Sequence, residues 1–346
     1  MIQIRLGNLI EANAEALVNT VNCVGHMGKG IALQFKKAFP DNFLTYQRAC
    51  RAKKVRPGEM FVFETGSLVG TKYIINFPTK RHWRGNSHIE DIQAGLEALV
   101  TVIRKRKITS VAVPPLGCGL GGLDWRMVRP MIEKAFDELP EVQVYLFEPS
   151  GTPEAKTMPV RTQRPRMTVA RALFIKLMQQ YGQFAYRQTL LEIQKLAFFL
   201  QEGGEPLRLN FEAGIYGPYA HNLNKVLEIM EGHFIRGYGD SQKPDVEIEL
   251  LPGAIEEADT FLKGHEEKLP RLERVARLIE GFETPYGMEL LSSVCWVAHH
   301  SDTRALDSDE VVRKVHQWND RKRRMFTFDH IRIAWTRLDE EGWFQN

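Results

Sequence analysis

Two glycine-rich segments, each following an apolar run, are where this chain's backbone could do chemistry. NCVGHMGKGIA (22–32) follows ALVNTV, and PLGCGLGGLDW (115–125) follows SVAVP and precedes a helical pattern. Glycine lets the main chain approach a ligand closely and adopt positive φ, so consecutive N–H groups can converge on phosphate oxygens. A helix N-terminus behind such a loop adds positive potential. One loop of this kind is also what any tight turn needs. Two of them, after different strands of one small domain, could grip the two phosphates of a diphosphate. Two commoner phosphate chemistries are excluded by spacing. Gly28-Lys29-Gly30 lacks the GxxxxGK[ST] pattern, and GCGLGG is not followed by a well-placed ribose-binding acid in a βαβ unit. HExxH, EF-hand and GxSxG patterns are absent.

Several side chains need weighing beside these loops. Lys80 ends the run KYIINFPTK, where a rigid strand end can present a side chain, although an isolated lysine there reads as a solvated one. RHWRGNSH (81–88) interleaves Arg81 and Arg84 with His82 and Trp83. Such cations pair with phosphates, and Trp83 offers a face on which a base can stack, as single-stranded nucleic acid requires. The alternative is a solvated turn with Trp83 folded onto the domain. Cys23 and Cys118 lie in the glycine loops, but His26 alone is placed to activate one of them, and small buried residues are the better reading. His299 and His300 are adjacent on a helix and point in different directions, which suits a structural or surface role better than a metal site.

The elements that must position these residues alternate. IQIRL (2–6), ALVNTV (16–21), MFVFE (60–64), KYIINF (72–77), SVAVPP (110–115) and VQVYLF (142–147) read as short strands. A helix after the fourth carries a Ser87/Glu90 capping-box pattern and an apolar face of Ile89, Ile92, Leu96, Leu99, Val100 and Ile103. A second helix begins after Asp124 and buries Val128, Ile132, Ala135 and Leu139. Helices interleaved with buried strands predict a layered α/β architecture around a largely parallel sheet in residues 1–150. Residues 151–168, with prolines and basic residues but no apolar period, predict an exposed linker. Helix patterns then dominate at 169–181, 190–203, 220–234, 305–318 and 328–344, so residues 169–346 read as a mainly helical second domain. The 346 residues carry formal charge +3, but residues 1–171 hold 25 basic against 15 acidic residues and the remainder sums to −7. The basic half suits a polyanion. The N-terminus has no signal-peptide pattern, no apolar run approaches a membrane span, and four scattered cysteines form no CxxC pair. A cytoplasmic protein without a membrane partner is expected.

GNLIEANAEALVNTVNCVGHMGKGIALQF resembles the opening of a macrodomain, the ADP-ribose-binding module, and VAVPPLGCGLGGLDW resembles its second phosphate loop. NTVN, MGKGIA, NFPTK and GCGLGGLDW, in this order, are similar to the catalytic-lysine glycohydrolase subclass, and within it to the DNA ADP-ribosyl glycohydrolase antitoxins of DarT/DarG systems. The resemblance covers residues 1–150 and implies a three-layer α/β/α sandwich around a mixed sheet. It implies Lys80 and Asn22 as the catalytic pair, with Asn22 at the distal ribose. Lys80 would protonate the leaving base, or attack the sugar carbon to give a lysyl intermediate that water resolves. ADP-ribose contacts are implied for Asn8, Leu9, Asn19 and Thr20, for Gly28, Lys29, Gly30, Ile31 and Ala32, and for Leu116, Gly117, Cys118, Gly119, Leu120, Gly121 and Gly122. A side chain at Gly119 or Gly121 would collide with ligand. Related terminal ADP-ribose glycohydrolases pair the lysine with an aspartate where this chain has Gly121, and Asp124 is better placed to cap a helix. No cofactor and no metal are implied.

The second half holds no catalytic constellation. LEIQKLAFFLQEGG and the later YGP, through Lys195, Leu196, Tyr216, Gly217 and Pro218, resemble Panacea-type antitoxin domains, which neutralise a toxin by binding it. Residues 169–346 would thus bind a cognate DarT-type toxin. A domain serving only oligomerisation or solubility is the plain alternative, and RKRR (321–324) with the final helix resembles a winged-helix DNA reader. The function expected is removal of ADP-ribose from thymidine in single-stranded DNA, where the modified base is already unstacked, with DNA contacts at Arg81, His82, Trp83 and Arg84. A module that reads ADP-ribose without cleaving it, or a hydrolase acting on ADP-ribosylated protein side chains, are the alternatives.

Overall fold

Near-continuous buried runs in segments such as ALVNTVN and YIINFPTK, whose side chains alternate between faces, require a sheet covered on both faces. A computed structural model describes residues 1–149, 158–184, 188–239, 247–300 and 307–344, and the chain divides into two compact units. The first runs β1 (Ile2–Arg5), β2 (Ala16–Asn22), α1 (Gly30–Ala38), α2 (Pro40–Arg51), β3 (Phe61–Glu64), β4 (Tyr73–Lys80), α3 (Ile89–Arg106), β5 (Ser110–Val113), α4 (Trp125–Phe136) and β6 (Gln143–Phe147). The strands form one six-stranded sheet in the order β1-β6-β5-β2-β4-β3. Strand β3 is antiparallel to β4, and every other neighbouring pair is parallel. All six expected strands are present.

Alternation sorts the side chains between two cores. Ala16, Val18, Ile75, Phe77, Val111, Val113, Val144 and Leu146 pack with Ile92, Leu96, Leu99 and Val128 of α3 and α4. Leu17, Ile74, Ala112 and Phe147 face the other way and meet Phe35 and Ala38 of α1. Tyr46, Ala49 and Cys50 of α2 join Val21 and Met27. Helix α4 starts as expected, with the Asp124 carboxylate accepting the Arg126 backbone N–H at 2.8 Å. Leu139 is buried but lies beyond the helix end.

One local expectation is corrected. The Ser87/Glu90 capping box does not form: His88 is the N-cap of α3 and makes no side-chain cap bond. Ser87 instead gives its backbone N–H to the Gly121 carbonyl at 3.0 Å, and its buried hydroxyl has no protein partner. Helices α1 and α2 are not among the expected elements. The first opens on a glycine at φ +58° without a side-chain cap, and the second opens on Pro40.

The second unit is mainly helical: α5 (Val169–Phe184), α6 (Leu190–Glu202), the hairpin β7 (Phe211–Gly214) and β8 (Gly217–Ala220), α7 (Leu223–Met230), and the pair β9 (Ile235–Arg236) and β10 (Glu249–Leu250). There follow α8 (Ala254–Leu262), α9 (Leu269–Ile279), α10 (Pro285–His300), α11 (Ser308–Trp318), α12 (Asp320–Met325) and α13 (Phe328–Glu340). One apolar core joins these elements, centred on Phe198, Phe199, Leu291, Val294 and Trp343. Of the expected linker, residues 151–157 lie outside the described residues, and α5 starts at Val169.

His299 and His300 do not diverge. Both reach the Glu202 carboxylate, at 3.0 and 3.2 Å, which ties α10 to α6. The RKRR run does not lay out a DNA-reading patch either. Lys322 is fully buried on Glu289 and Ser293, Arg321 pairs with the same Glu289, and Arg323 pairs with Asp320. Lys322 and Arg321 are therefore committed to the fold through Glu289, while Arg323 pairs at the surface.

Candidate active site

The expected residues gather where parallel strands end. Strands β2 and β4 pair in register from Ala16↔Tyr73 to Val21↔Pro78, and then slip by one residue so that Asn22 faces Lys80. A slip of one residue re-aims everything beyond it, because side chains alternate with period two. Thr79 is buried by it, and Lys80 emerges at the end of the strand. Neighbouring strands lie about 4.8 Å apart, so Asn22 and Lys80 are adjacent.

Lys80 donates its Nζ to the backbone carbonyl of Leu120, in the middle of the second glycine loop. Burial holds its ammonium below the ordinary lysine range. The Leu120 side chain reaches to 3.4 Å from the position a Cβ would take on Gly30, so the two glycine loops touch beside this amine. Asn22 is 7% exposed and its amide is occupied within the first loop. Its Oδ1 accepts the N–H groups of Val24 (3.0 Å) and His26 (3.3 Å), and its Nδ2 donates to the His26 carbonyl at 2.5 Å. Asn22 thus shapes the loop.

The support beneath was not anticipated. The Tyr46 hydroxyl donates to the Asn22 carbonyl at 2.5 Å, and burial keeps that phenol protonated. Asn19, expected at the ligand, is wholly buried: its Nδ2 donates to Asn76 Oδ1 at 2.9 Å, and Asn76 exchanges bonds with Asn42 at 2.7 and 3.3 Å. The available signal was an asparagine inside each of two apolar strands, at positions the register places opposite each other.

The glycine loops depart from expectation at one position. A Cβ at Gly121 would stand 2.2 Å from the Gly117 carbonyl and 2.3 Å from Ser87 Oγ, so protein packing excludes a side chain there. A Cβ at Gly119 would meet nothing within 4 Å. Gly117 and Gly122 take φ of +72° and +79°. Leu116 is buried, Cys118 half-buried and Leu120 exposed, while Lys29, Gly30, Ile31 and Ala32 are half-buried around the start of α1 and Gly28 is buried. Thr20 is half-buried on β2. Asn8 caps the short turn after β1 by accepting the Ile10 N–H at 3.1 Å, and the side chain of Leu9 is in the core rather than at a ligand surface.

The 81–84 turn combines both readings made of it. Arg81 is held by Asp91 through two contacts at 3.2 and 3.3 Å. Trp83 is half-buried, 5.4 Å from the ring of His26 and 5.5 Å from that of His82, with the Arg84 guanidinium 4.6 Å above it. Cys23 and Cys118 are half-buried rather than buried, and desolvation pushes both thiols up to about 11. At neutral pH neither is a thiolate, so sulfur nucleophiles are disfavoured.

The Macro domain family model matches residues 18–132. A DNA ADP-ribosyl glycohydrolase of Thermus aquaticus is 44% identical over 343 residues, which cover 99% of this chain and 94% of that protein. The chain belongs to the DNA ADP-ribosyl glycohydrolase family. A second DNA ADP-ribosyl glycohydrolase, of Mycobacterium tuberculosis, is 41% identical over 98% of this chain and 99% of its own length. Among solved structures, the macrodomain of Mycobacterium tuberculosis DarG is 55% identical over 43% of this chain and 99% of that chain, with a TM-score of 0.43. In this glycohydrolase the six-stranded unit is the macrodomain and the helical unit follows it. Among the described residues, no helix is long and apolar enough to cross a membrane.

Proposed function

We propose that this chain removes ADP-ribose from thymidine in single-stranded DNA, with Lys80 as the catalytic residue, and that residues 169–346 bind and neutralise the toxin that adds it. The observation that carries the first part is the Lys80 amine, half-desolvated and held at the point where the two glycine loops meet. The main chain of Gly28–Ala32 lies on one side of the diphosphate and that of Leu116–Gly122 on the other, with Asn8 and the backbone of Leu9 at the adenine end. Asn22 and Tyr46 act as positioning residues by fixing the first loop.

Hydrolysis breaks the bond between the base nitrogen and the anomeric carbon. Water supplies the hydroxyl gained by the sugar and the proton gained by the base. In one route the Lys80 ammonium gives the proton to the leaving base and recovers one from water. In the other the neutral amine attacks the anomeric carbon, the base leaves with a proton, and water releases the sugar from nitrogen. A depressed lysine pKa makes the neutral form accessible and favours the second route.

The full chain is incubated with an ADP-ribosylated oligonucleotide and the release of unmodified DNA is followed, with an ADP-ribosylated protein in parallel. Expected are turnover on DNA and a loss of about 10²-fold or more for Lys80→Ala with retained ADP-ribose binding. Full turnover by that variant rejects the lysine mechanism. Binding without release would leave an ADP-ribose reader, and turnover confined to the protein substrate would move the activity to side chains. Residues 172–346 sum to −7, which supports a basic, DNA-handling partner for the second unit.

A further inference from the structure

The helical unit holds a costly device beneath a small exposed surface. Strands β7 and β8 pair from Phe211↔Ala220 to Gly214↔Gly217, which leaves Ile215 and Tyr216 as a two-residue tip. Ile215 is 66% exposed and Tyr216 40%. Three parts of the unit fasten this tip by polar contacts. From α6, Gln194 exchanges two hydrogen bonds with Ala220 at 2.9 and 3.2 Å, and the buried Lys195 ammonium donates to the Pro218 carbonyl at 2.7 Å. From the end of α11 and the cap of α12, Trp318 Nε1 donates to the Gly214 carbonyl at 3.1 Å, and Asn319 Nδ2 to the Ile215 carbonyl at 3.2 Å. Arg321, anchored on Glu289 of α10, lies 4.7 Å over the Tyr216 ring.

Gly217 is the pivot. Its φ is +93°, and a Cβ there would stand 3.0 Å from Ser293 Oγ and 3.2 Å from Lys195 Nζ. Two fully buried lysines, Lys195 and Lys322, thus lie under one turn beside the carboxylate of Glu289. Buried ion clusters seldom add net stability over apolar packing of the same volume. What this cluster supplies is geometry: two apolar side chains are presented to solvent on a turn that cannot relax. Pre-ordered aliphatic and aromatic anchors lose little freedom on association and make strong binding centres.

We propose that the Ile215–Tyr216 tip is the anchor by which this chain grips a basic protein, the DNA ADP-ribosyltransferase of its own toxin–antitoxin system. The proposal rests on the toxin-binding reading of the second unit and names the surface responsible. Charge decides the occupant. Lys322 is wholly buried and shares Glu289 with Arg321, whose guanidinium is spent on Glu289 and the Tyr216 ring, and residues 172–346 taken together are net negative. A protein whose own surface is basic for DNA is attracted, and nucleic acid is repelled.

The test uses the full chain carrying Ile215→Ser and Tyr216→Ser together, with Leu68→Ser and Val69→Ser as the control. The control residues are 92% and 86% exposed on the turn between β3 and β4 of the macrodomain. Titration calorimetry against the cognate transferase is expected to show the tip variant weakened about 30-fold or more, as losing an interface anchor does. Circular dichroism and base release should stay unchanged, and the control should bind as the parent does. Parent binding with a tip variant within twofold of it overturns the tip while leaving toxin binding intact. No complex with the parent overturns both. A tip variant that loses affinity for single-stranded DNA, and not for the transferase, overturns the choice of occupant.

Discussion

Lys80 owes its chemistry to what surrounds its Nζ. Desolvation lowers its pKa, so the neutral amine forms at lower pH than on an exposed lysine. If that amine is the nucleophile, kcat for base release rises with pH up to the lowered pKa and levels there, below the pH at which ordinary lysines titrate. A pH–rate profile beside mass spectrometry for a Lys80 adduct checks this, and a rate that falls over the same range would assign Lys80 as the acid. Gly121 is the second residue whose identity is forced. Gly121→Ala drives a methyl group into the Gly117 carbonyl and Ser87 Oγ. The expected cost is about 1–3 kcal/mol, as for other overpacked sites, read as a lower midpoint in urea unfolding of the macrodomain. An unchanged midpoint would mean that the loop relaxes freely.

At the scale of elements, the site is made by the slip between β2 and β4 that puts Lys80 opposite Asn22, and by the turn that follows. Trp83, braced by His26 and His82 and covered by Arg84, is the base-stacking candidate in that turn. Trp83→Ala is expected to weaken binding of single-stranded oligonucleotide by about 1–3 kcal/mol, with free ADP-ribose binding unchanged. Fluorescence anisotropy separates the two, and equal losses for both ligands would reduce Trp83 to a structural prop. These elements differ in how far the sequence disclosed them. All six strands could be read because alternation and β-branched runs report local burial. The glycine loops could be read because φ and close approach restrict residue type. The partners of Asn19, Asn22 and Ser87 could not, because Asn42, Asn76, Tyr46 and Gly121 come from distant segments that meet only through the register. The capping box failed for the same reason, since a local pattern was overridden by the Ser87 N–H bond to Gly121.

At the scale of the whole molecule, the two units carry opposite electrostatic problems. Residues 1–171 are net basic, whereas residues 172–346 are net acidic yet bury the side chains of Lys195 and Lys322. Burial depresses Lys195 to about 7, with Lys322 adding to the effect. The unfolded chain holds this proton up to the ordinary lysine range and the native unit releases it near 7, so native stability rises with pH between those limits. The limiting slope is about 1.4 kcal/mol per pH unit. Urea unfolding of the parent should therefore show a higher midpoint at pH 9 than at pH 7, and Lys195→Met should flatten that difference. A parent midpoint that is level or falling over this interval would show that Lys195 stays protonated when buried.

The pairing of the first strand with the last has a consequence for synthesis. Strand β1 is an edge whose single neighbour is β6, with Ile2 opposite Val144. As the chain leaves the ribosome at roughly 5–20 residues per second, β1 waits on the order of ten seconds for its mate. Until residue 147 has emerged, β5 is paired only on its β2 side, and β1 has no partner strand. Translation that stalls before that point leaves a fragment whose strands β2 to β5 can pair while β1 cannot join them, so the sheet is completed only when β6 arrives.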